Sequence, residues 1–277
     1  MTPEEYCRQK AAPDGSTFHY VFLFLAPQRR RALTALQAYC RELDDAVDAP
    51  AGPEVAHAKL AWWRHETAQL LAGTPQHPVT RELQEVLDPF GIGREELAGI
   101  IDGRQRRLEE QRQSDFESLE AYCRSMADEV GRLSARVCGF REERTVAAAG
   151  TLWGACMLIQ VIRDLGDDVR RNRVLLPMDE LKHFEVPAAD ILNRRDSPQF
   201  RKLMAFQADR AQQHCADAIA GLPPVDRRSQ HPVLIMAGIH RGELGEIRRD
   251  GFQVLTHRTT LTPLRKLWIA CRTRAVS

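Results

Sequence analysis

Helical periodicity runs through most of this chain and limits it to one fold class. Apolar residues recur three and four positions apart, the spacing that places them on one face of an α-helix. The pattern covers residues 27–48, 55–72, 79–87, 94–108, 119–138, 146–169, 200–220, 232–256 and 263–273. Glycine or proline marks the breaks, and no segment alternates apolar and polar residues convincingly as a half-buried strand does. The pattern predicts an all-α protein of about eight to ten helices.

Composition is that of an ordinary globular protein. Hydrophobic residues make up 43% and charged residues 28% of the 277 residues, and no low-complexity linker divides the chain. We therefore expect one helical domain over residues 1–277. The net charge of +1 argues against a nucleic-acid partner. The seven cysteines form no CxxC pair, which predicts reduced core residues in a cytoplasmic protein.

Two aspartate pairs with the same four-residue spacing are the main candidates for chemistry. The first aspartate motif is Asp44 and Asp48 in ELDDAVD, and the second aspartate motif is Asp164 and Asp168 in RDLGDD. On a helix, residues four apart share one face, with Cβ atoms roughly 6 Å apart. One further aspartate lies inside each motif, so three negative charges crowd about one helical turn. Such crowding is unfavourable unless cations neutralise it.

A magnesium–diphosphate site is the interpretation that these motifs favour. Mg²⁺ prefers a few carboxylates together with substrate phosphate oxygens. Each motif follows an arginine, Arg41 or Arg163, and arginine suits phosphate recognition. The alternative is an aspartate pair on a solvated helix face, which is common. The duplication and the apolar stretches beside both motifs favour two inward-facing motifs above an apolar cavity.

Four segments carry a family resemblance: GSTFHYVFLFLAPQRRRALTALQAYCRELDDAVD, YCRSMADEVGRLSARVCG, RDLGDDVRRNRVLLPMDEL and IRRDGFQVLTHRTTLTPLRKLWIA. In these segments the chain resembles the squalene/phytoene synthase family, and within it the bacterial presqualene diphosphate synthases of hopanoid biosynthesis. The resemblance spans nearly the full length. It implies the all-α isoprenoid synthase fold and the head-to-head joining of two farnesyl diphosphates into presqualene diphosphate.

The resemblance also implies a cofactor and a set of site residues. Mg²⁺ would be bound by Asp44, Asp48, Asp164 and Asp168, which are the predicted catalytic and metal residues. The predicted substrate-binding residues are Ser16, Thr17, Phe18, Gln37, Arg41, Gln160, Arg163 and His240. Among them, the diphosphate contacts would fall on the two arginines and on the Ser16–Thr17 segment. The helical spacing of His240 with Ile235 and Ile239 indicates a position on the cavity wall.

Several positions depart from what relatives usually carry. Arg107 stands where they have an aspartate that helps to hold the metals, so a cation replaces an acid. Met157 and Gln160 replace a glutamine and an asparagine, and a methionine hydrogen-bonds a diphosphate poorly. Positions that are commonly tyrosine are Gln37, Leu175 and His240.

These departures leave alternatives open. One is a catalytically impaired or altered paralogue that binds prenyl diphosphate, and another is a phytoene- or hydroxysqualene-type synthase. The basic runs at 29–31 and 104–107 are typical of solvated helix faces. The first run and the amphipathic C-terminal segment RKLWIACRTR also suit peripheral contact with the inner face of the membrane. The expected ligand is farnesyl diphosphate. Other enzymes of the squalene and hopanoid pathway are candidate protein partners.

Overall fold

The structure, a computed structural model, describes residues 1–48, 52–110 and 112–276. Within these ranges the chain forms fourteen α-helices and no strand, apart from one isolated bridge between Arg112 and Val174. The helices are α1 Pro3–Ala11, α2 Thr17–Val21, α3 Pro27–Val47, α4 Pro53–Leu71, α5 Pro78–Leu87, α6 Arg94–Glu109, α7 Phe116–Cys138, α8 Arg144–Arg163, α9 Leu165–Arg170, α10 Met178–His183, α11 Ala188–Leu192, α12 Pro198–Gly221, α13 His231–Arg249 and α14 Pro263–Val276. Short 3-10 helices cover Asp88–Phe90, Pro224–Asp226 and Gln253–Leu255. The predicted all-α class is confirmed.

The predicted helical segments match the helices closely, with two differences. The segment over 146–169 is divided at Asp164, which ends α8 and precedes α9. The segment over 232–256 stops at Arg249, because Gly251 and Phe252 have left-handed φ angles of 72° and 64° that no helix continues through. The short helices α1, α2, α10 and α11 lie outside the predicted segments, so the fourteen helices of the described residues exceed the predicted eight to ten. The extent of the domain, residues 1–277, stays a prediction.

Helix α8 lies in the core. By length and composition it could cross a membrane, but 67% of its most apolar stretch is buried inside the protein, as in a core helix. It packs along α7 at very short range, since a Cβ atom on Gly131 would lie 2.7 Å from the Cα atom of Gly150. Helix α3 contacts α7 as well, and helix α9 follows α8 directly. This packing brings the ends of α3 and α8, which carry the two aspartate motifs, to one cavity.

A second close approach sets the position of α6 against α7. A Cβ atom on Gly103 would lie 2.3 Å from the backbone oxygen of Ser125. Replacing Gly103 by alanine is therefore expected to push α6 away from α7 and to lower the free energy of unfolding by about 2 kcal/mol. Urea unfolding followed by circular dichroism measures this.

Gly154 of α8 is the matched control for this prediction. Its Cβ position meets no atom within 4 Å among the described residues. Alanine at that position should be neutral, or stabilising by about 0.5–1 kcal/mol, because it restricts the unfolded chain. If both alanine variants behave alike, then the contact between Gly103 and Ser125 does not set the spacing of α6 and α7.

Candidate active site

Both aspartate motifs lie where a helix ends. Asp48 caps α3, and its N–H donates to the carbonyl oxygen of Asp44 at 2.8 Å. Asp164 ends α8, and the N–H of Asp168 donates to its carbonyl oxygen at 3.0 Å. Each motif therefore keeps one helical turn between its two carboxylates. Because the C-terminal end of a helix is the negative end of its dipole, carboxylates placed there need cations nearby.

One cavity of about 370 Å³ is lined by all four carboxylates of the two motifs. Arg173, which is buried, joins the two motifs. Its Nη1 atom lies 3.4 Å from Asp48, and its Nη2 atom donates to Asp168 at 2.6 Å. Since a single guanidinium group reaches both motifs, they face each other at close range. The cavity has the size of a small-molecule site.

Two arginines of α6 neutralise the first motif. Arg107 bridges it, with Nη1 3.3 Å from Asp44 and Nη2 2.8 Å from Asp48. Arg104 is only 6% exposed, and its Nε atom lies 3.3 Å from Asp44. The prediction that the basic run at 104–107 forms a solvated face is wrong for these two residues. Arg106 alone of the three arginines is exposed, because the helix turns Arg104 and Arg107 together toward the cavity.

The two carboxylates of the second motif differ in their electrostatics. Burial alone would raise the pKa of Asp164, but the guanidinium groups of Arg163, at 2.8 Å to each oxygen, and of Arg258, at 2.6 Å, hold that pKa well below its usual range. For Asp168 burial prevails and raises the pKa, because Arg173 and Arg107 offset it only in part. Asp164 therefore stays ionised, whereas Asp168 is the more readily protonated of the two.

A buried ion pair with Glu243 holds the Arg163 side chain in place. Its Nη1 atom donates to Glu243 at 2.8 Å, and Nδ1 of His240 lies 2.9 Å from the same carboxylate. His240 is therefore not on the cavity wall, contrary to the prediction, because Glu243 draws its ring to the buried side of α13. Although burial opposes ionisation, the hydrogen bond from His240 and the charge of Arg163 lower the pKa of Glu243 to about 2.

This pair predicts an acid-dependent contribution to stability. The pKa of Glu243 falls from 4.5 to about 2 on folding, so its stabilisation is present in full above pH 4.5 and is lost as the pH falls through 2. Replacing Glu243 by glutamine should lower the free energy of unfolding by about 3 kcal/mol at pH 7 and by progressively less toward pH 2. Denaturant unfolding across this pH range is the measurement. Glu109→Gln, on the exposed side of α6, is the control, and an equal pH dependence in both variants would contradict the prediction.

The remaining predicted substrate residues divide into two groups. Phe18, Gln37, Arg41 and Gln160 line the cavity with Arg163, and the Arg41 guanidinium lies 6.0 Å from the centre of the Phe18 ring. The Ser16–Thr17 segment is not part of the cavity wall. The hydroxyl of Ser16 instead accepts the N–H of His19 at 3.2 Å and caps α2.

Sequence reasoning missed the cations that complete the site. Arg173 follows the second motif closely, in RNRV, and its proximity was a usable signal. Arg258 lies 94 residues from Asp164 in the chain, in a segment with no periodic pattern, so only the fold reveals their contact.

Part of the cavity wall is apolar. The apolar side chains on it are Phe18, Met126, Ala127, Val130, Trp153, Met157, Val161 and Leu175. Two of them, Met157 and Leu175, stand at positions where polar side chains were expected from relatives. The rings of Phe18 and Trp153 stack with their centroids 6.2 Å apart. A wall that carries both charged and apolar side chains suits a ligand with an anionic head and a hydrocarbon tail.

The donor set fits Mg²⁺ bound together with a phosphorylated ligand. In the part of the chain that the structure describes, no three histidine, cysteine or acidic side chains form a complete metal site. Mg²⁺ does not require one, because it is commonly held by one or two carboxylates plus phosphate oxygens and water. Each motif offers such a carboxylate pair on the cavity wall.

Comparison with known proteins shows the family of this chain. The sequence model of the squalene/phytoene synthase family matches residues 11–265. The 15-cis-phytoene synthase of Synechocystis sp. is 29% identical over 95% of this chain and 82% of its own length. The chloroplastic phytoene synthase of an Oncidium hybrid cultivar is 30% identical over 94% of this chain and 65% of its own.

Two solved structures share the fold of this chain. The squalene synthase HpnC of Alicyclobacillus acidocaldarius superposes with a TM-score of 0.75 at 26% identity, covering 90% of this chain and 94% of that one. A dehydrosqualene synthase in complex with ligand reaches a TM-score of 0.85 over 99% and 96% of the two chains, and at 20% identity it shows the fold alone. The fold is the predicted isoprenoid synthase fold. The family consists of prenyltransferase-type enzymes that bind prenyl diphosphates and generally depend on Mg²⁺. This chain belongs to the squalene/phytoene synthase family.

Proposed function

We propose that this protein joins two molecules of farnesyl diphosphate head to head into presqualene diphosphate, in squalene or hopanoid biosynthesis. The observation that supports this most is the contact of Arg173 with an aspartate of each motif, beside a cavity that is lined by both motifs and by apolar side chains. Such a site can hold a diphosphate group at its mouth and a prenyl chain inside.

Different residues of this chain would bind the diphosphate group, hold Mg²⁺ and exclude water from the reacting carbon atoms. Arg41 and Arg163 line the cavity and would bind diphosphate oxygens. Bound Mg²⁺, held by the two aspartate motifs, would neutralise the leaving diphosphate. The apolar wall around Trp153 and Met157 would exclude water from the allylic cation, so that the double bond of the second substrate attacks it first. Arg163 would be held in place by Glu243.

A product assay tests the proposal. The purified protein is incubated with farnesyl diphosphate and Mg²⁺, and products are identified by mass spectrometry while pyrophosphate release is followed. Presqualene diphosphate is the expected product. Absence of both product and pyrophosphate release would refute the proposal.

A second candidate activity is phytoene-type condensation of C20 prenyl diphosphates, which the names of the relatives at 29–30% identity favour. A third is conversion of presqualene diphosphate into hydroxysqualene. Parallel incubations with C15 diphosphate, C20 diphosphate and presqualene diphosphate separate the three, because each activity consumes only one of these substrates efficiently.

A candidate function of a different class is binding of prenyl diphosphate without catalysis. It is favoured by one observation: Arg107 occupies both carboxylates of the first motif. A protein of this kind would bind farnesyl diphosphate in calorimetry without releasing pyrophosphate, and Arg107→Asp would restore part of the turnover. An active wild-type protein that is unchanged or impaired by Arg107→Asp excludes this role.

A further inference from the structure

Helix α14 turns an apolar face outward. Its outer face consists of Leu264, Leu267, Trp268 and Cys271, which the spacing of three, four and seven places on one side of a helix. Leu264 is 80% exposed, Trp268 58% and Leu267 38%, and Cys271 is also exposed. A surface helix normally turns polar residues toward water. Here the exposed side is the apolar one, which indicates a surface that meets another apolar phase.

The opposite side of α14 is already used for packing within the protein. The helix lies against α13 and α2. Ala270 is fully buried, and the Lys266 ammonium group donates to the carbonyl oxygen of Gly15 at 3.2 Å. The outer face is therefore held rigidly outward, and it cannot turn inward without breaking these contacts.

Arginines flank the outer face on both sides. The Arg272 guanidinium lies 5.2 Å from the centre of the Trp268 ring on one edge. On the other edge, Arg274 lines a groove of about 670 Å³. The arginines that line this groove are Arg29, Arg141, Arg228 and Arg274.

The exposed charge of the groove is positive, because the carboxylate of its acidic residue is buried. Among the described residues that line it, Asp226 is the one acidic side chain, and it is 1% exposed. Its carboxylate accepts the N–H groups of Arg141 and Glu142 and the hydroxyl of Thr145, at 2.6–3.0 Å. The positive charge of the groove thus faces outward beside the apolar face.

We propose that the outer face of α14 docks on a lipid bilayer that contains anionic lipid. An apolar stripe with a tryptophan and flanking arginines matches the boundary between acyl chains and negative headgroups. A second copy of this chain fits less well. The 14-residue helix is about 21 Å long and about 10 Å wide, a footprint far below the roughly 800 Å² that each partner of a stable interface buries. A symmetric dimer through this face would also bring arginines against arginines.

Vesicle sedimentation with the full chain tests this proposal independently of catalysis. The wild-type protein should sediment with vesicles of phosphatidylcholine and phosphatidylglycerol, less with phosphatidylcholine alone, and less again at high salt. The double variant Leu267→Ser/Trp268→Ser should lose at least about tenfold in affinity for both kinds of vesicle, with and without phosphatidylglycerol. Arg272→Glu/Arg274→Glu should lose about tenfold on the anionic vesicles only.

Trp62→Ser is the matched control, because Trp62 is a 46%-exposed tryptophan on α4, outside this face. It should bind vesicles as the wild type does, and circular dichroism should show all variants folded. Equal binding by the Leu267→Ser/Trp268→Ser variant, or no vesicle binding by the wild type, overturns the proposal. Sedimentation equilibrium showing a dimer that this variant dissociates would overturn it as well, since the face would then be a contact between copies.

Discussion

Replacing Asp44 by asparagine is expected to lower the rate of pyrophosphate release from farnesyl diphosphate by about a hundredfold to a thousandfold. Asparagine keeps the size and shape of the side chain but removes the charge that the first motif offers to a divalent cation. It also leaves Arg104, which is buried, without its carboxylate partner. Steady-state release of pyrophosphate at saturating Mg²⁺ measures the effect.

The neighbouring aspartate provides the control. Asp45 follows Asp44 directly but is exposed, and its carboxylate pairs with Lys10 at 2.6 Å. Asp45→Asn should keep most of the activity. Thermal unfolding of both variants separates a loss of chemistry from a loss of folded protein. Full activity in Asp44→Asn, or equal losses in the two variants, would contradict the proposed role of the first motif.

The sequence was sufficient to predict the helical fold and the aspartate motifs of the site. Long helices such as α3 and α8 bury one face over many turns, so their periodicity is visible without a structure. Helices α10 and α11 span six and five residues, too few for a periodic pattern to stand out. The aspartate motifs were recognisable because their spacing is local and occurs twice.

The cations of the site were much harder to predict. A run of arginines such as 104–107 usually faces water, and nothing local shows that Arg104 is buried against the backbone oxygen of Met126 at 2.9 Å. The predicted position of His240 on the cavity wall was wrong for a related reason. Its apolar neighbours on α13 indicate burial, but the side to which its ring turns is decided by Glu243 on the same helix and by Arg163 at the end of α8. Contacts between residues distant in the chain depend on packing that periodicity does not encode.

Arg107 is expected to compete with divalent cations for the first motif, so that Arg107→Gln raises the affinity of the substrate-free protein for Mn²⁺ by at least about tenfold. Its guanidinium touches both carboxylates and is mostly buried, and burial alone would lower its pKa. The charges of Asp44 and Asp48 outweigh burial and raise that pKa, so the side chain is always charged. A unit charge about 4 Å away contributes about 4 kcal/mol at an effective dielectric constant of 20, well above the roughly 1.4 kcal/mol of a tenfold change. Electron paramagnetic resonance titration of free Mn²⁺ measures the affinity.

The control for this prediction lies one residue away. Arg106 is exposed on the same helix and pairs with Glu110 at 3.2 Å, so Arg106→Gln removes the same charge far from the motif and should leave Mn²⁺ affinity within about twofold. Without metal, Arg107→Gln should also unfold more easily, because two neighbouring carboxylates then lose their shared counter-ion. Added Mn²⁺ should restore that stability by binding only the folded state. An Arg107→Gln protein with unchanged Mn²⁺ affinity would mean that the first motif does not bind the cation, and the metal would then have to be held by the second motif alone.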